Sequence, residues 1–488
     1  MRILLTSNQF VPNYHGGTEI LTFNTAKELI SRGHEVEVWT TEPNYPDFHG
    51  TGRFSSVKNE GVPTHYFNFA KIFNSQTERI TAGYNNPFFG EIFSDFTEQY
   101  QPDLVHFFHL NFLGIAPIEF CKRQNIPTVL TATDFWFLCP TSILSLPNNQ
   151  VCEGQAKDGI NCIRHFSTLF AENTTQNYAQ QAGTKNKLTP FSNFFAFLKR
   201  TGTKFFKYLI DLQAKYLPRT FYRIIIWLGR KLKHPPNIMR TLVQVSDRPG
   251  ILNEAVGKID KIIAPTNIMK TNFIKAGIQP DRIEKIGYGL KIYSNPTPLQ
   301  KKPLNELRFA YIGKMLKHKG IHVLIKAFKL LPKDAPAKLL IYGDLNQAAS
   351  KGYLTPLKEF IDGDPRITFE GTFPNNEINT IFSKIDALVV PSTWMENMPL
   401  VILSAQANQT PVIASNVPGI SESIRHNVDG VLFEKENHHN LSEILQKCID
   451  DRSFLPRLGS AAKMPKSISA YVDELERLYY GLLGDFSH

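Results

Sequence analysis

The stretch Leu307-Arg-Phe-Ala-Tyr-Ile312-Gly313-Lys314-Met-Leu-Lys317-His318-Lys319-Gly320-Ile321 decides the fold. A β-rich hexapeptide runs into a basic turn, and apolar positions at helical spacing follow over 321–331. Toward the C-terminus the alternation repeats, with strands expected at 338–342, 367–370, 387–391, 411–415 and 431–433. Helices are expected between them, around 354–361, 377–385, 400–408 and 421–425. Strands separated by helices of this length build a doubly wound parallel sheet. Toward the N-terminus, 2–6 reads as a strand that enters the loop Asn13-Tyr-His-Gly16-Gly17-Thr-Glu19. An amphipathic helix follows through Ile20, Leu21, Ala26, Leu29 and Ile30, with Gly33 placed as its C-cap and a strand at 35–40. Further buried strands are expected at 104–108 and 128–132. The fold class is therefore α/β, with two doubly wound parallel-sheet domains, 1–295 and 304–466, joined near Ser294–Pro303. The final segment, 467–488, carries Val472, Leu475, Leu478, Tyr479 and Leu482 on one helical face and is expected to cross back to the first domain.

The composition fits this division. The 488 residues are 42% hydrophobic and 20% charged, and 30 Gly and 31 Pro are too thinly spread for a collagenous or low-complexity chain. Five cysteines exclude a disulfide scaffold and suit a reducing compartment. The apolar run at the N-terminus is shorter than a signal-peptide core, and no stretch approaches the roughly 20 apolar residues of a membrane span. A cytoplasmic protein is the expectation. The net charge of +10 is local: 185–240 holds thirteen Lys and Arg against Asp211, which leaves the rest of the chain at −2.

In open α/β sheets, ligands bind beyond the carboxyl ends of the strands. Three loops there carry the informative residues. Gly16 and Gly17 follow the first strand, where bare backbone and a helix N-terminus favour an anion; an ordinary strand-to-helix turn is the plainer reading. The spacing is not that of a dinucleotide fingerprint, so a nicotinamide cofactor is disfavoured. Lys314 and Lys319 concentrate charge where a phosphate could lie, while Lys317 fits a solvated turn. The third loop, Pro391-Ser-Thr-Trp-Met-Glu396-Asn397-Met398-Pro399-Leu400, sets a carboxylate at a strand mouth. Glu396 could accept sugar hydroxyls, and the backbone N–H groups of Asn397, Met398 and Leu400 could meet a phosphate; an acid at a helix start is also common for dipole reasons. Of the two histidines in 104–109, His106 lies within the apolar strand and reads as a core residue. His109, at the strand end, is the functional candidate. Cys139, Cys152, Cys162 and His165 could in principle ligate zinc, but their spacing is irregular and no metal is expected.

Taken in order, Gly16-Gly17-Thr-Glu, Asp103-Leu-Val-His106-Phe-Phe-His109, Thr133-Asp134-Phe-Trp-Phe-Leu-Cys139, Gly313…Lys319-Gly320, Trp394-Met-Glu396-Asn-Met-Pro399-Leu400 and Pro411…Pro418-Gly419-Ile-Ser-Glu422 resemble the GT-B glycosyltransferases of family 4, the retaining group-1 type. The resemblance covers nearly the whole chain outside 165–240. It implies two Rossmann-like domains facing across a cleft, and metal-independent, retaining transfer of a sugar from a nucleoside diphosphate sugar, without a cofactor; a glycan or lipid-linked acceptor is the expectation. It implies catalytic roles for Glu396, His109 and Lys319. Donor contacts would come from Gly16, Gly17, Lys314, Lys319, Glu396, Asn397, Met398, Pro399, Leu400, Ser404 and Glu422, with His109 and Asp134 on the acceptor side. Ser404 stands where the family often has a second glutamate, Lys314 where it has arginine, and Thr133 where a histidine is frequent. A GT-B-like binding protein without turnover is the rival reading.

The basic insertion at 165–240 interleaves Phe, Tyr, Ile and Trp with Lys and Arg over 186–235. Such a segment reads as an interfacial anchor on an anionic membrane surface. A helix packed on the first domain is the competing reading, and nucleic acid is disfavoured because no RNA- or DNA-binding motif accompanies the charge.

Overall fold

The computed structural model describes residues 1–41, 54–68, 80–146, 150–163, 219–233, 235, 237–292, 305–350 and 352–484. The anticipated joint at 294–303, His165 and most of the basic insertion lie outside these residues.

The first sheet contains β1 (Arg2–Thr6), β2 (Glu35–Thr41), β3 (Phe54–Asn59), β4 (Val62–Phe67), β5 (Leu104–Phe107), β6 (Thr128–Thr131), β7 (Lys261–Ala264) and β8 (Ile283–Lys285). Its spatial order is β3-β4-β2-β1-β5-β6-β7-β8, parallel throughout except for the antiparallel edge pair β3–β4. The second sheet contains β9 (Leu307–Ile312), β10 (Ala337–Tyr342), β11 (Ile367–Gly371), β12 (Ala387–Val390), β13 (Val412–Ser415) and β14 (Gly430–Phe433). Its order is β11-β10-β9-β12-β13-β14, all parallel. The chain thus forms two Rossmann-like units, as the strand pattern anticipates. Strand order reverses at β1 in one sheet and at β9 in the other, so the loops after these strands open at the two crevices where ligands gather.

Local chemistry sets the element ends. Helix Gly17–Ser31 stops at Arg32 because Gly33 adopts φ 88°, a left-handed conformation that glycine tolerates. The helix anticipated near 421–425 is a series of turns instead, in which Gly419 takes φ 86° and a Cβ would lie 2.1 Å from the Glu396 carbonyl oxygen. Several elements carry too little pattern to be legible: the β3–β4 hairpin, β7 and β8, and helices Pro87–Tyr100, Ala116–Gln124 and Asn267–Lys275.

Helix Ile468–Leu483 packs on the first sheet although it follows the second in sequence. Tyr471, Val472, Leu475 and Tyr479 are fully buried among Ile3, Leu5, Leu29 and Phe108. Arg32 reaches Asp473 and Glu476, each at 2.6 Å, and His34 meets Glu476 at 2.7 Å. Beneath the helix, His106 is fully buried between the Tyr479 hydroxyl at 2.5 Å and the Thr131 hydroxyl at 2.8 Å. It is a core residue, and burial pushes its pKa down to about 3.

The sign of the resulting pH dependence follows. Between the ordinary value of 6.5 and about 3, the unfolded chain takes up a proton at His106 that the folded chain refuses, so stability falls as pH falls. His106→Gln is expected to remove about 2 kcal/mol of the stability difference between pH 7 and pH 5. Urea unfolding of both proteins at the two pH values checks it, and equal pH slopes would overturn it.

Candidate active site

The loop after β9 is shaped by what it packs on. Met315 is fully buried and its N–H donates to Gln347 Oε1 at 3.0 Å, while the Tyr311 hydroxyl donates to the Lys314 carbonyl at 2.7 Å. With the loop pinned at these points, Lys314 stands half exposed on one side and Lys319 leans inward on the other. Gly320 has φ 75°, and a Cβ there would sit 1.8 Å from the Pro391 carbonyl oxygen. Only glycine lets this loop touch the loop after β12. The Thr393 N–H completes the junction by donating to the His318 carbonyl at 2.8 Å.

That junction brings Lys319 to Glu396, with Nζ to Oε1 at 2.7 Å. The Ser392 hydroxyl donates to the same oxygen at 2.6 Å and the Trp394 indole N–H at 2.8 Å. Lys319 also lies 4.8 Å from the centre of the Trp394 ring, a cation–π contact. Burial by itself would raise the Glu396 pKa, but the Lys319 charge and the three donors outweigh it and hold the carboxyl below its ordinary value. His318 packs edge-on against Trp394, and burial together with the neighbouring lysines pushes its pKa down to about 4, so it is neutral at pH 7.

The two domains enclose a cleft of about 450 Å³. Gly16, Gly17, Thr133 and Asp134 line one side, and Lys314, His318, Lys319, Ser392, Trp394, Glu396 and 397–401 the other. The carboxylates in the lining are Asp134 and Glu396. The bare Gly17 faces Leu400, where a Cβ would be 4.0 Å from the leucine side chain. Helix Leu400–Ala407 points its first turn at the cleft; the Ile402 N–H is taken by the Pro399 carbonyl at 3.0 Å, while the first N–H groups, of Leu400 and Val401, have no intrahelical partner. Ser404 lines the cleft one turn further on, its hydroxyl bonded to the Leu400 carbonyl at 3.0 Å.

The structure separates residues that the sequence grouped together. His109 lies behind the cleft wall, not in it. Its Nδ1 accepts the Asn111 N–H at 3.1 Å, so the proton rides on Nε2, which donates to Asp134 Oδ2 at 2.8 Å. Asp134 Oδ1 takes the Trp136 N–H at 2.8 Å. Asp134 therefore faces the cleft, oriented by His109. The side chain of Asn397 turns to the first domain, donating to the Ala132 carbonyl at 2.8 Å and the Tyr288 hydroxyl at 2.9 Å, and accepting from Thr266 at 3.0 Å. Met398 packs beside Gly287 and Tyr288. Glu422 is not in the cleft lining. Its carboxylate takes the N–H groups of Asn267 at 2.6 Å and Ile268 at 2.9 Å, capping a helix of the first domain. Cys139, Cys152 and Cys162 are buried free thiols; burial raises Cys152 and pushes Cys162 up to about 12, which disfavours the thiolate that zinc needs. Among the described residues no group of three His, Cys, Asp or Glu side chains is placed to hold a metal ion.

Sequence reasoning gave no role to Trp394, Ser392 or Glu19. Trp394 and Ser392 became legible only once their loop folded over Glu396. Glu19 had a signal, being an acid in the first helical turn after the glycine pair, but its burial was not visible.

Two family models match the chain, one on each sheet: Glycosyltransferase Family 4 over residues 15–147 and Glycosyl transferases group 1 over 298–464. Among curated relatives, a capsular polysaccharide biosynthesis glycosyltransferase of Staphylococcus aureus is 28% identical over 177 residues, 35% of this chain and 44% of its own. A D-inositol 3-phosphate glycosyltransferase of Corynebacterium glutamicum is 28% identical over 197 residues, 38% of this chain and 47% of its own. The matched region thus spans less than half the length of each relative. Among solved structures, sucrose-phosphate synthase of Thermosynechococcus elongatus aligns with TM-score 0.65 at 17% identity, covering 99% of both chains. Anabaena HepE in complex with UDP and glucose aligns with TM-score 0.58 at 16% identity, covering 98% of this chain and 99% of that one. At these identities the alignments speak for a shared fold, which is GT-B.

Removing one partner of the buried pair is expected to be costlier than removing both. Lys319→Met strands the Glu396 carboxylate and should destabilise the second domain by about 3–5 kcal/mol, whereas Lys319→Met with Glu396→Gln should recover at least half of that. Denaturant unfolding of the four proteins of the cycle reads this coupling. Additive losses would contradict it.

Proposed function

We propose that this chain, built of two glycosyltransferase domains, moves a sugar from a nucleoside diphosphate sugar to a glycan or lipid-linked acceptor. The observation that carries the reading is the convergence of Lys314, Lys319, the first turn of helix Leu400–Ala407 and the bare Gly16–Gly17 turn around one cleft. A departing diphosphate gathers negative charge, and ammonium groups and backbone N–H groups fixed beforehand stabilise it without reorganising. Each such charged hydrogen bond contributes about 1.5–3 kcal/mol. In this proposal the lysines supply the countercharge, so the transfer needs no metal.

Glu396 stays ionised because Lys319 is beside it, and it offers a fixed acceptor to donor sugar hydroxyls. Asp134, held by His109 and the Trp136 N–H, offers a second acceptor from the opposite wall and orients the incoming hydroxyl. Retention fits a front-face substitution in which the leaving phosphate takes the acceptor proton; no pair of glycosidase-type carboxylates is then required. Ser404, a neutral hydroxyl, would meet the ribose more weakly than a carboxylate. The name of the Staphylococcus aureus relative favours an acceptor in capsular polysaccharide synthesis, while that of the Corynebacterium relative names a small inositol phosphate; the acceptor proposed is one of cell-envelope polysaccharide or glycolipid synthesis.

Turnover against a panel of UDP-, GDP- and ADP-sugars tests the activity. One donor should be consumed, and Glu396→Ala and Lys319→Ala should each lower kcat/KM by about 10²-fold or more. A folded protein that turns over none of them would be a glycan-binding GT-B protein instead.

A lipid-linked acceptor would sit at a bilayer, and helix Arg219–Lys231 carries a surface suited to one. Tyr222, Ile225, Ile226 and Gly229 pack inward on Ile160, Ile163, Leu242 and Val245. The outer face exposes Ile224 and Trp227 at 57% each, with Phe221, Leu228 and Leu232, amid exposed Arg219, Arg223, Arg230, Lys231 and Lys233. Apolar side chains ringed by cations match the headgroup and acyl boundary of an anionic leaflet. Among the described residues no helix is long and apolar enough to cross a membrane, so the contact proposed is peripheral. The full chain should co-sediment with phosphatidylserine-containing vesicles at low salt and be released at high salt. Ile224→Ser with Trp227→Ser should weaken binding about tenfold or more; undiminished binding would refute the surface.

A further inference from the structure

Glu19 has no part in the function just proposed, yet among the described residues it is one of three buried carboxylates, with Glu396 and Asp429. It is the third residue of helix Gly17–Ser31, and its side chain is 4% exposed. Acids are favoured in a first helical turn by the helix dipole, but that preference does not require burial, and most such residues face solvent. What Glu19 faces is Lys314, half exposed, whose Nζ lies 3.9 Å from its Oε1 across the cleft. The bare edge of Gly16 shows where the two meet. A Cβ at that position would lie 2.3 Å from Glu19 Oε2 and 2.6 Å from Lys314 Nζ. Carboxylate and ammonium therefore converge over the glycine turn, on the spot that the reading above reserves for a diphosphate.

The two lysines of the loop after β9 are thus held by different acids. Lys319 is bound at 2.7 Å within its own domain, by a carboxylate that three donors keep in place. Lys314 is loosely held, from the opposite domain, by a carboxylate buried behind the glycine turn, just outside the cleft lining. We propose that Glu19 is a built-in competitor for Lys314: the diphosphate of a donor takes the ammonium from it on binding, and the carboxylate reclaims the ammonium to help expel the nucleoside diphosphate after transfer. The inference rests on the proposed nucleotide-sugar function only for the identity of the displacing anion. It is a matter of charge. A multiply charged product held by two lysines and several N–H groups dissociates slowly, and a fixed negative charge within a few ångströms opposes its retention.

Two measurements on the full-length protein test this. The first uses no nucleotide: mass spectrometry follows acetylation of Lys314 by a water-soluble activated ester, with the exposed Lys317 as the internal reference. An ammonium facing a carboxylate reacts more slowly than one facing water, so Glu19→Gln should speed Lys314 relative to Lys317 by about threefold or more. An unchanged ratio would overturn the pair, whatever the protein binds. The second is calorimetric titration with UDP, GDP, ADP and inorganic pyrophosphate. The isosteric Glu19→Gln should bind the preferred diphosphate about fivefold tighter or more, and Glu19→Asp, which keeps the charge but shortens its reach, should fall between. Equal or weaker binding by Glu19→Gln would show that the carboxylate helps to close the domains instead of competing, and would overturn the proposal. If neither protein binds any of the four probes, the nucleotide-sugar reading falls, while the Glu19–Lys314 pair is still decided by the acetylation rates.

Discussion

The contact between Lys319 and Glu396 is the interaction on which the cleft depends. A carboxylate 5% exposed is costly to ionise, and an ammonium beside it does not suffice unless the remaining lone pairs are met. Here the Ser392 hydroxyl and the Trp394 indole meet those of Oε1, the oxygen that Lys319 reaches. This arrangement exists only because Gly320 can lie against the Pro391 carbonyl, which joins the loops after β9 and β12. Since β9 is the strand at which the sheet order reverses, the joined loops stand at its crevice. The result is a rigid wall bearing charge of both signs, set before any ligand arrives.

The opposite wall is positioned by a seam of polar groups. Asn397 satisfies its amide on Ala132, Tyr288 and Thr266, and Glu422 caps the helix that begins at Asn267. Two residues expected to make donor contacts, in two separate motifs, therefore act here as fasteners between domains. Each bond crosses from the second domain to the first, so the spacing of Gly17 and Leu400 is held by side chains that fasten the two domains together. Helix Ile468–Leu483 adds a second tie from behind, through Tyr471, Tyr479 and the buried His106. A chain tied at two places can close around a ligand by small rotations and does not need to assemble its site anew.

The same geometry explains the division of labour between the acids. Glu396 is neutralised within its own domain, Asp134 is oriented by a histidine that never reaches the cleft, and Glu19 answers a lysine from the other domain. Three carboxylates near one anion site would be mutually repulsive if all were free. Each is instead matched to a donor of its own, and they differ in how readily that donor can be withdrawn.

Periodicity determined the architecture of this protein by itself. Alternating strands and helices over 307–433, and the glycine turn after 2–6, were enough for two parallel sheets, because a strand buried on both faces and a helix with one apolar stripe each have few ways to satisfy their surfaces. The same sequence placed Lys314, Lys319, Glu396 and Asp134 at strand ends, where a cleft had to lie. It did not show which residues would face that cleft. Whether His109 lines the wall or braces it depends on a contact 25 residues along the chain. Whether Asn397 and Glu422 meet a ligand or the other domain, and whether Glu19 is solvated or faces Lys314, depend on contacts between segments more than a hundred residues apart. Hydrogen-bond partners and burial belong to the packed structure, and no local pattern encodes them.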